Sequence, residues 1–226
     1  MSSTPTITDP MRSAPYALAR GLRDPDENPA RRYRTLLLFG APGSGKGTLG
    51  KALGAIPGFY HCACGDVFRN LDMSSPLGRE FMKYSAQGLL VPDDITVALW
   101  KDSIDGMVSV RRFVPDRDLL VLDGIPRSVE QARIMDDHII VEHILHLECA
   151  NRTLMAERLK RRALKENRLD DASDDVIRRR WEVYDHESRP VLSHYDPDRV
   201  DQVDALGSPV SVLHDVLGRL LSAGLA

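Results

Sequence analysis

One stretch limits the folds open to this chain more than any other: Gly40-Ala41-Pro42-Gly43-Ser44-Gly45-Lys46-Gly47-Thr48. Before it stands Thr35-Leu36-Leu37-Leu38-Phe39, a short and continuously apolar run of the kind that fills a buried parallel strand. After it, residues 45 to about 55 read as a helix. Strand, glycine-rich turn and helix in that order form the P-loop context. There, successive backbone N–H groups turn inward around phosphate oxygens, and the helix N-terminus adds partial positive charge. Lys46 is spaced to reach the outer phosphates of a nucleotide. A glycine-rich turn with no ligand would leave the lysine and both flanking elements without a reason.

The rest of the chain continues the alternation that this unit begins. Further short apolar runs at 59–61, 119–122, 143–147 and 200–203 read as strands. Helical segments are expected at 75–86, with Ser75 as cap and Pro76 in the first turn, and at 92–109 and 129–137. Asn151 is placed to cap another helix through about 165. A long helix is expected over 174–195, bent or ended by Pro190, and a last one over 209–222. Strands alternating with helices predict an α/β protein. Its sheet would be five-stranded, mostly parallel and flanked by helices, in the manner of a P-loop NTPase.

Order is expected from Thr35. Residues 1–33 carry Pro5, Pro10, Pro15, Pro25 and Pro29 among Ser, Arg and Asp without periodicity, and read as a flexible tail before a single domain over 34–226. An organelle-targeting segment would suit the arginines of this tail but not Asp9, Asp24, Asp26 and Glu27.

Composition narrows the function classes. A formal net charge of −3 argues against a general nucleic-acid binder. No apolar run approaches the length of a membrane span, and the start lacks the apolar middle of a secretory signal. Three cysteines, with Cys62 and Cys64 separated by one residue, have the wrong spacing for a zinc ribbon or a redox pair. Reduced thiols in a cytoplasmic protein are the expectation.

Two further features carry chemistry. Asp123 closes the strand 119–122, and a carboxylate at such a strand end beside a P-loop can orient Mg²⁺, directly or through water. Arg127, shortly after it, has the planar fork that suits phosphate oxygens. Seven arginines, Arg158, Arg161, Arg162, Arg168, Arg178, Arg179 and Arg180, crowd one region of a nearly neutral chain. Taken singly each would pass as a solvated helix charge, but moving a phosphoryl group between two anions requires fixed cations and excluded water.

The loop departs from the commonest pattern in one place. Gly47 stands directly after the lysine where many nucleotide-binding loops carry Ser or Thr, and Thr48 follows. In this the run GAPGSGKGT resembles the adenylate kinase and uridylate/cytidylate kinase families. The resemblance continues in order along the chain, covering about residues 35–223. Cys64-Gly65-Asp66-Val67-Phe68-Arg69 resembles a T-G-D-x-x-R segment, with Cys64 in place of threonine and Asp66 expected to cap a following helix. Gly88-Leu89-Leu90-Val91-Pro92-Asp93 resembles G-x-L-V-P-D, and Asp123-Gly124-Ile125-Pro126-Arg127 resembles D-G-F-P-R. The stretch from Arg158 to Asp171 resembles the short-lid form of adenylate kinases, and Arg180-Trp181-Glu182-Val183-Tyr184 resembles R-L-E-x-Y with tryptophan for leucine.

The resemblance implies a set of roles. ATP would lie on Gly43, Ser44, Gly45, Lys46, Gly47 and Thr48, with Arg158, Arg162 and the turn at Gly207 around it. AMP would meet Cys64, Arg69, Leu89, Leu90, Val91, Gly124, Arg127 and Gln131, with Arg168 and Arg180 between the nucleotides. Catalysis would rest on Lys46, Arg127, Arg162, Arg168 and Arg180, with Asp123 toward Mg²⁺. Residues of about 64–93 would form an AMP-binding subdomain and about 162–170 a short lid without structural zinc. The implied reaction is ATP plus AMP giving two ADP, by a monomer. Gln131 speaks for adenine, because an amide donates and accepts at once and so matches the adenine edge. A uridylate/cytidylate kinase, or a nucleotide sensor without turnover, are the other readings.

Overall fold

The structure is a computed structural model that describes residues 31–72, 74, 76–166 and 173–226. The expected tail over 1–33 falls almost wholly outside these residues, and so does the expected cap at Ser75. Strands β1 (Tyr33–Phe39), β2 (Phe59–Ala63), β3 (Leu119–Asp123), β4 (Ile139–Glu148) and β5 (Val200–Asp204) form one sheet in the order β2-β3-β1-β4-β5. Every pairing in it is parallel, so the sheet is wholly rather than mostly parallel. β1 begins at Tyr33, two residues ahead of the expected Thr35, because Tyr33 already pairs with Ile139 of β4.

The helices are α1 (Lys46–Leu53), α2 (Cys64–Arg69), α3 (Pro76–Ala86), α4 (Asp93–Ser109), α5 (Val129–Met135), α6 (Arg152–Glu166), α7 (Asp174–Val183) and α8 (Pro209–Ser222). The unbroken run of apolar residues in β1 is explained by its central position with helices on both faces. Alternate side chains serve two separate cores. Leu37 and Phe39 pack with Phe68, Trp100 and Ile104 on one side, while Leu36 and Leu38 pack with Leu49, Leu53, Val216 and Leu220 on the other. α1 lies close on β2: a Cβ on Gly50 would sit 2.2 Å from His61 Nε2, and one on Gly54 would sit 2.6 Å from His61 Cβ. Only glycine permits that approach.

Two segments differ from the sequence reading. The long helix expected over 174–195 is broken into α7, a π-helical turn over Tyr184–Ser188 and a 3₁₀ turn over Arg189–His194. Pro190 lies at the start of that last turn, where its missing N–H is tolerated. The second difference is where α2 begins: it starts at Cys64, ahead of Asp66, the residue expected from the sequence to cap it. Ala63 is its N-cap and Asp66 lies inside its first turn, paired with Arg69 at 2.5 Å, so Asp66 does not cap the helix. Elsewhere the expected cap at Asn151 is present, its Oδ1 accepting from the Leu154 N–H at 2.9 Å.

Candidate functional site

All strands point their C-terminal ends the same way, and the register fixes what meets there. Leu38 of β1 pairs with Asp123, the last residue of β3, one residue before Phe39 leads into the loop. The Asp123 carboxylate therefore lies beside the loop, 3.5 Å from where a Cβ on Gly47 would be. In open parallel sheets ligands bind at such carboxyl ends. A cleft of about 730 Å³ opens there.

The loop itself is shaped by Gly40, Gly43 and Gly45, whose φ angles of 145°, 88° and 104° are left to glycine. Gly43 also has no room for a side chain, since a Cβ would lie 2.7 Å from the Met155 carbonyl of α6. The turn closes with the Ser44 N–H donating to Ala41 O at 3.0 Å, and α1 starts at Lys46. Lys46 donates to the carbonyls of Gly40 (2.5 Å) and Ala41 (3.2 Å), which stretches its side chain back over the loop. Burial lowers its pKa to about 8, with Arg127, Arg162 and Arg180 pushing the same way and Asp123 opposing. The ammonium thus sits where three guanidinium groups and one carboxylate converge, although they come from α6, α7, β3 and the turn after β3.

On the other side of the cleft, Gly124 turns the chain at φ 84° and Arg127 Nε donates to its carbonyl at 2.8 Å, folding the guanidinium back toward the strand ends. Gln131 is buried and firmly held. Its Oε1 accepts from the Arg127 N–H at 2.7 Å, and its Nε2 donates to Asp93 Oδ1 at 2.9 Å. Ser128 completes the set, its Oγ donating to Asp93 Oδ2 at 2.7 Å and accepting from the Gln131 N–H. A backbone N–H can only donate and a carboxylate accepts, so these partners fix which way the Gln131 amide faces. Asp93 and Ser128 were not read as site residues. Asp93 does stand in the quoted G-L-L-V-P-D run, but a contact across 38 residues has no local signature.

Every residue given a binding or catalytic role from the sequence lines this one cleft except Arg168, which lies outside the described residues with Asp170 and Asp171. The loop residues Gly43, Ser44, Gly45, Gly47 and Thr48 form one wall, together with Gly207. Cys64, Arg69, Leu89, Leu90 and Val91 form the opposite one. Arg158 and Arg162 reach it from α6, and Arg180 from α7. Arg158 is steadied by donating to Ala205 O at 3.0 Å. Arg178 does not join them, pairing instead with the exposed Asp175 on its own helix. Burial pushes the Cys64 thiol up to about 11, so it faces the cleft as a neutral, weak donor. Trp181, which stands where the resembled motif has leucine, donates its indole N–H to Pro42 O at 3.0 Å.

A hard cation fits the donors beside the loop. The Asp123 carboxylate and the hydroxyls of Ser44 and Thr48 offer only oxygen, and Ser44 Oγ is buried without a hydrogen-bond partner. Mg²⁺ needs few protein ligands where phosphates supply others. Among the described residues no cluster of three or more His, Cys, Asp or Glu could hold a metal by itself. No described helix is long and apolar enough to cross a membrane.

Known proteins resemble this chain along most of its length. The family model described as adenylate kinase matches residues 38–200. An adenylate kinase of Mycolicibacterium vanbaalenii is 36% identical over 189 residues, which is 83% of this chain and 97% of the relative. One of Nocardia farcinica is 39% identical over 175 residues, 76% of this chain and 91% of its own. One of Mycobacterium tuberculosis is 35% identical over 194 residues, with 83% and 97% covered.

Proposed function

The chain belongs to the adenylate kinase family, a nucleoside monophosphate kinase family, and we propose that its cleft moves a phosphoryl group from ATP to AMP, giving two ADP. The observation that carries this reading is that Arg127, Arg162 and Arg180, from three separate parts of the chain, line the same cleft as Lys46. Such a concentration of cations destabilises an empty site and suits one that holds two phosphate chains end to end.

In this reading the loop amides and Lys46 hold the phosphates of ATP, and Arg158 with the turn at Gly207 borders its nucleoside. Arg69 and Arg127 grip the phosphate of AMP, and Gln131 meets its base with the amide edge left over from Asp93 and Arg127. Leu89, Leu90, Val91, Gly124 and Cys64 wall the same pocket. Arg162, Arg180 and Arg168 surround the transferring group, the last from the proposed lid over about 162–170. The attacking oxygen belongs to a phosphate that has largely lost its protons at neutral pH, so no general base is required. Positioning and charge stabilisation suffice for in-line displacement. Mg²⁺, oriented by Asp123 with help from Ser44 and Thr48, would neutralise charge on the ATP phosphates. The segment of about 64–93 would act as an AMP-binding subdomain that closes with the lid.

The free thiols of Cys62, Cys64 and Cys149 support a reducing, cytoplasmic setting.

An acceptor assay tests the reading. With ATP and Mg²⁺, AMP should exceed UMP and CMP in kcat/KM by about 100-fold or more, the discrimination expected when a fixed amide matches only one base edge. Equal or faster turnover of UMP or CMP would instead make this a pyrimidine nucleotide kinase. Failure with all three acceptors would leave a nucleotide sensor.

A further inference from the structure

The residue next to Arg180 joins the three pieces of chain that carry the donor side of the cleft. Trp181, on α7, donates its indole N–H to the carbonyl of Pro42 at 3.0 Å. Arg152, the first residue of α6, lies over the same indole with its guanidinium carbon 5.0 Å from the ring centroid. Arg152 also pairs with Asp185, just beyond α7, at 3.1 Å. The loop, α6 and α7 are therefore tied at one aromatic side chain. α6 brings Arg158 and Arg162 to the cleft, and α7 brings Arg180.

Peptide geometry turns this tie into a statement about binding. In a trans peptide the C=O of one residue and the N–H of the next point in opposite directions. Pro42 and Gly43 both border the cleft, whereas Trp181 stands outside its lining. A Pro42 carbonyl held outward by the indole therefore turns the Gly43 N–H the other way, toward the cleft. Gly43 can follow, because its φ of 88° is open to glycine.

We propose that Trp181 is a positioning residue for ATP: its indole N–H fixes the Pro42–Gly43 peptide so that the Gly43 amide faces the donor phosphates. The same contact registers the arginine-bearing helices against the loop. This rests on the reading that ATP occupies the loop. The chain has two tryptophans, and the other, Trp100, is fully buried in the core away from the cleft. Tryptophan emission therefore reports on the tie.

The test compares Trp181→Phe, which keeps a ring under Arg152 and removes only the N–H, with Trp181→Leu, which removes both. One neutral hydrogen bond predicts a rise in the KM for ATP of about three- to tenfold in Trp181→Phe, and a larger one in Trp181→Leu. The KM for AMP and the Tm of Trp181→Phe should stay near those of the unsubstituted enzyme. ATP should change the emission of the unsubstituted protein, and that change should vanish in Trp181→Phe. An unaltered KM for ATP in Trp181→Phe, or equal rises for ATP and AMP accompanied by a lower Tm, would overturn the proposal. An unsubstituted protein that forms no ADP would instead overturn the underlying reading of function.

Discussion

Lys46→Met should lower kcat by about 10³-fold while leaving the fold intact. Losing one preorganised donor to developing charge typically costs ~10²–10³ in rate, and this donor is a full cation inside a low-dielectric cleft. The fold should tolerate the change. Burial and three nearby arginines hold the lysine's pKa down at about 8, well under that of a free lysine. A cation whose pKa is depressed on folding weakens the folded state below that pKa, and the penalty fades as pH rises through it. Methionine keeps the stem and removes the penalty, so Tm at neutral pH should not fall. The same shift predicts a pH limb. In the nucleotide-free enzyme Lys46 is charged below about pH 8 and loses its proton above it. The KM for ATP should therefore rise above that pH in the unsubstituted enzyme, and Lys46→Met should lack this limb. Steady-state kinetics from pH 6 to 10 checks both effects. A variant with near-normal turnover would remove Lys46 from the mechanism.

Arg127→Lys should act on the other substrate. The guanidinium is held by the Gly124 carbonyl through Nε, which leaves its remaining N–H groups for an anion in the cleft. Lysine keeps the charge but loses the planar fork that matches two phosphate oxygens. A hydrogen bond to a charged group is worth ~1.5–3 kcal/mol, so the KM for AMP should rise roughly 10- to 100-fold, with the KM for ATP changed little. Equal changes for both nucleotides would show that Arg127 does not distinguish the acceptor side.

The parts legible in the sequence are those whose causes are local. Leu36 to Phe39 had to be buried on both faces, and the glycines after them had to reach φ values that other residues avoid. The register of Leu38 with Asp123 then follows from parallel pairing, which is why the strand-end carboxylate could be placed beside the loop without coordinates. The cleft arginines were legible through their density in a nearly neutral chain and through their order in the family resemblance.

What stayed hidden depends on partners distant in sequence. The start of α2 at Cys64 rather than after Asp66 takes in Gly65, a poor helix former on propensity alone; the helix is held by Phe68, which is buried and stacks on Phe81 of α3 at 5.0 Å. The helical periodicity of 174–195 continues past Val183, and nothing local marks the π turn that buries Tyr184 and brings its hydroxyl 2.9 Å from His146 Nε2. Gln131 reads from the sequence as a base-contacting amide, and only Asp93 and the Arg127 N–H show how that amide is oriented. The substitution of Trp181 for leucine has no local reason; its N–H finds one only in the Pro42 carbonyl, distant in sequence.

A crystal structure with a bisubstrate dinucleotide, two adenosines joined by a chain of phosphates, tests the central claim most directly. The phosphate chain should run from the amides around Lys46 to Arg127, passing Arg162 and Arg180, with one adenine beside Gly207 and the other at Gln131. A compound bound elsewhere, or with its phosphates turned away from Lys46, would contradict the account.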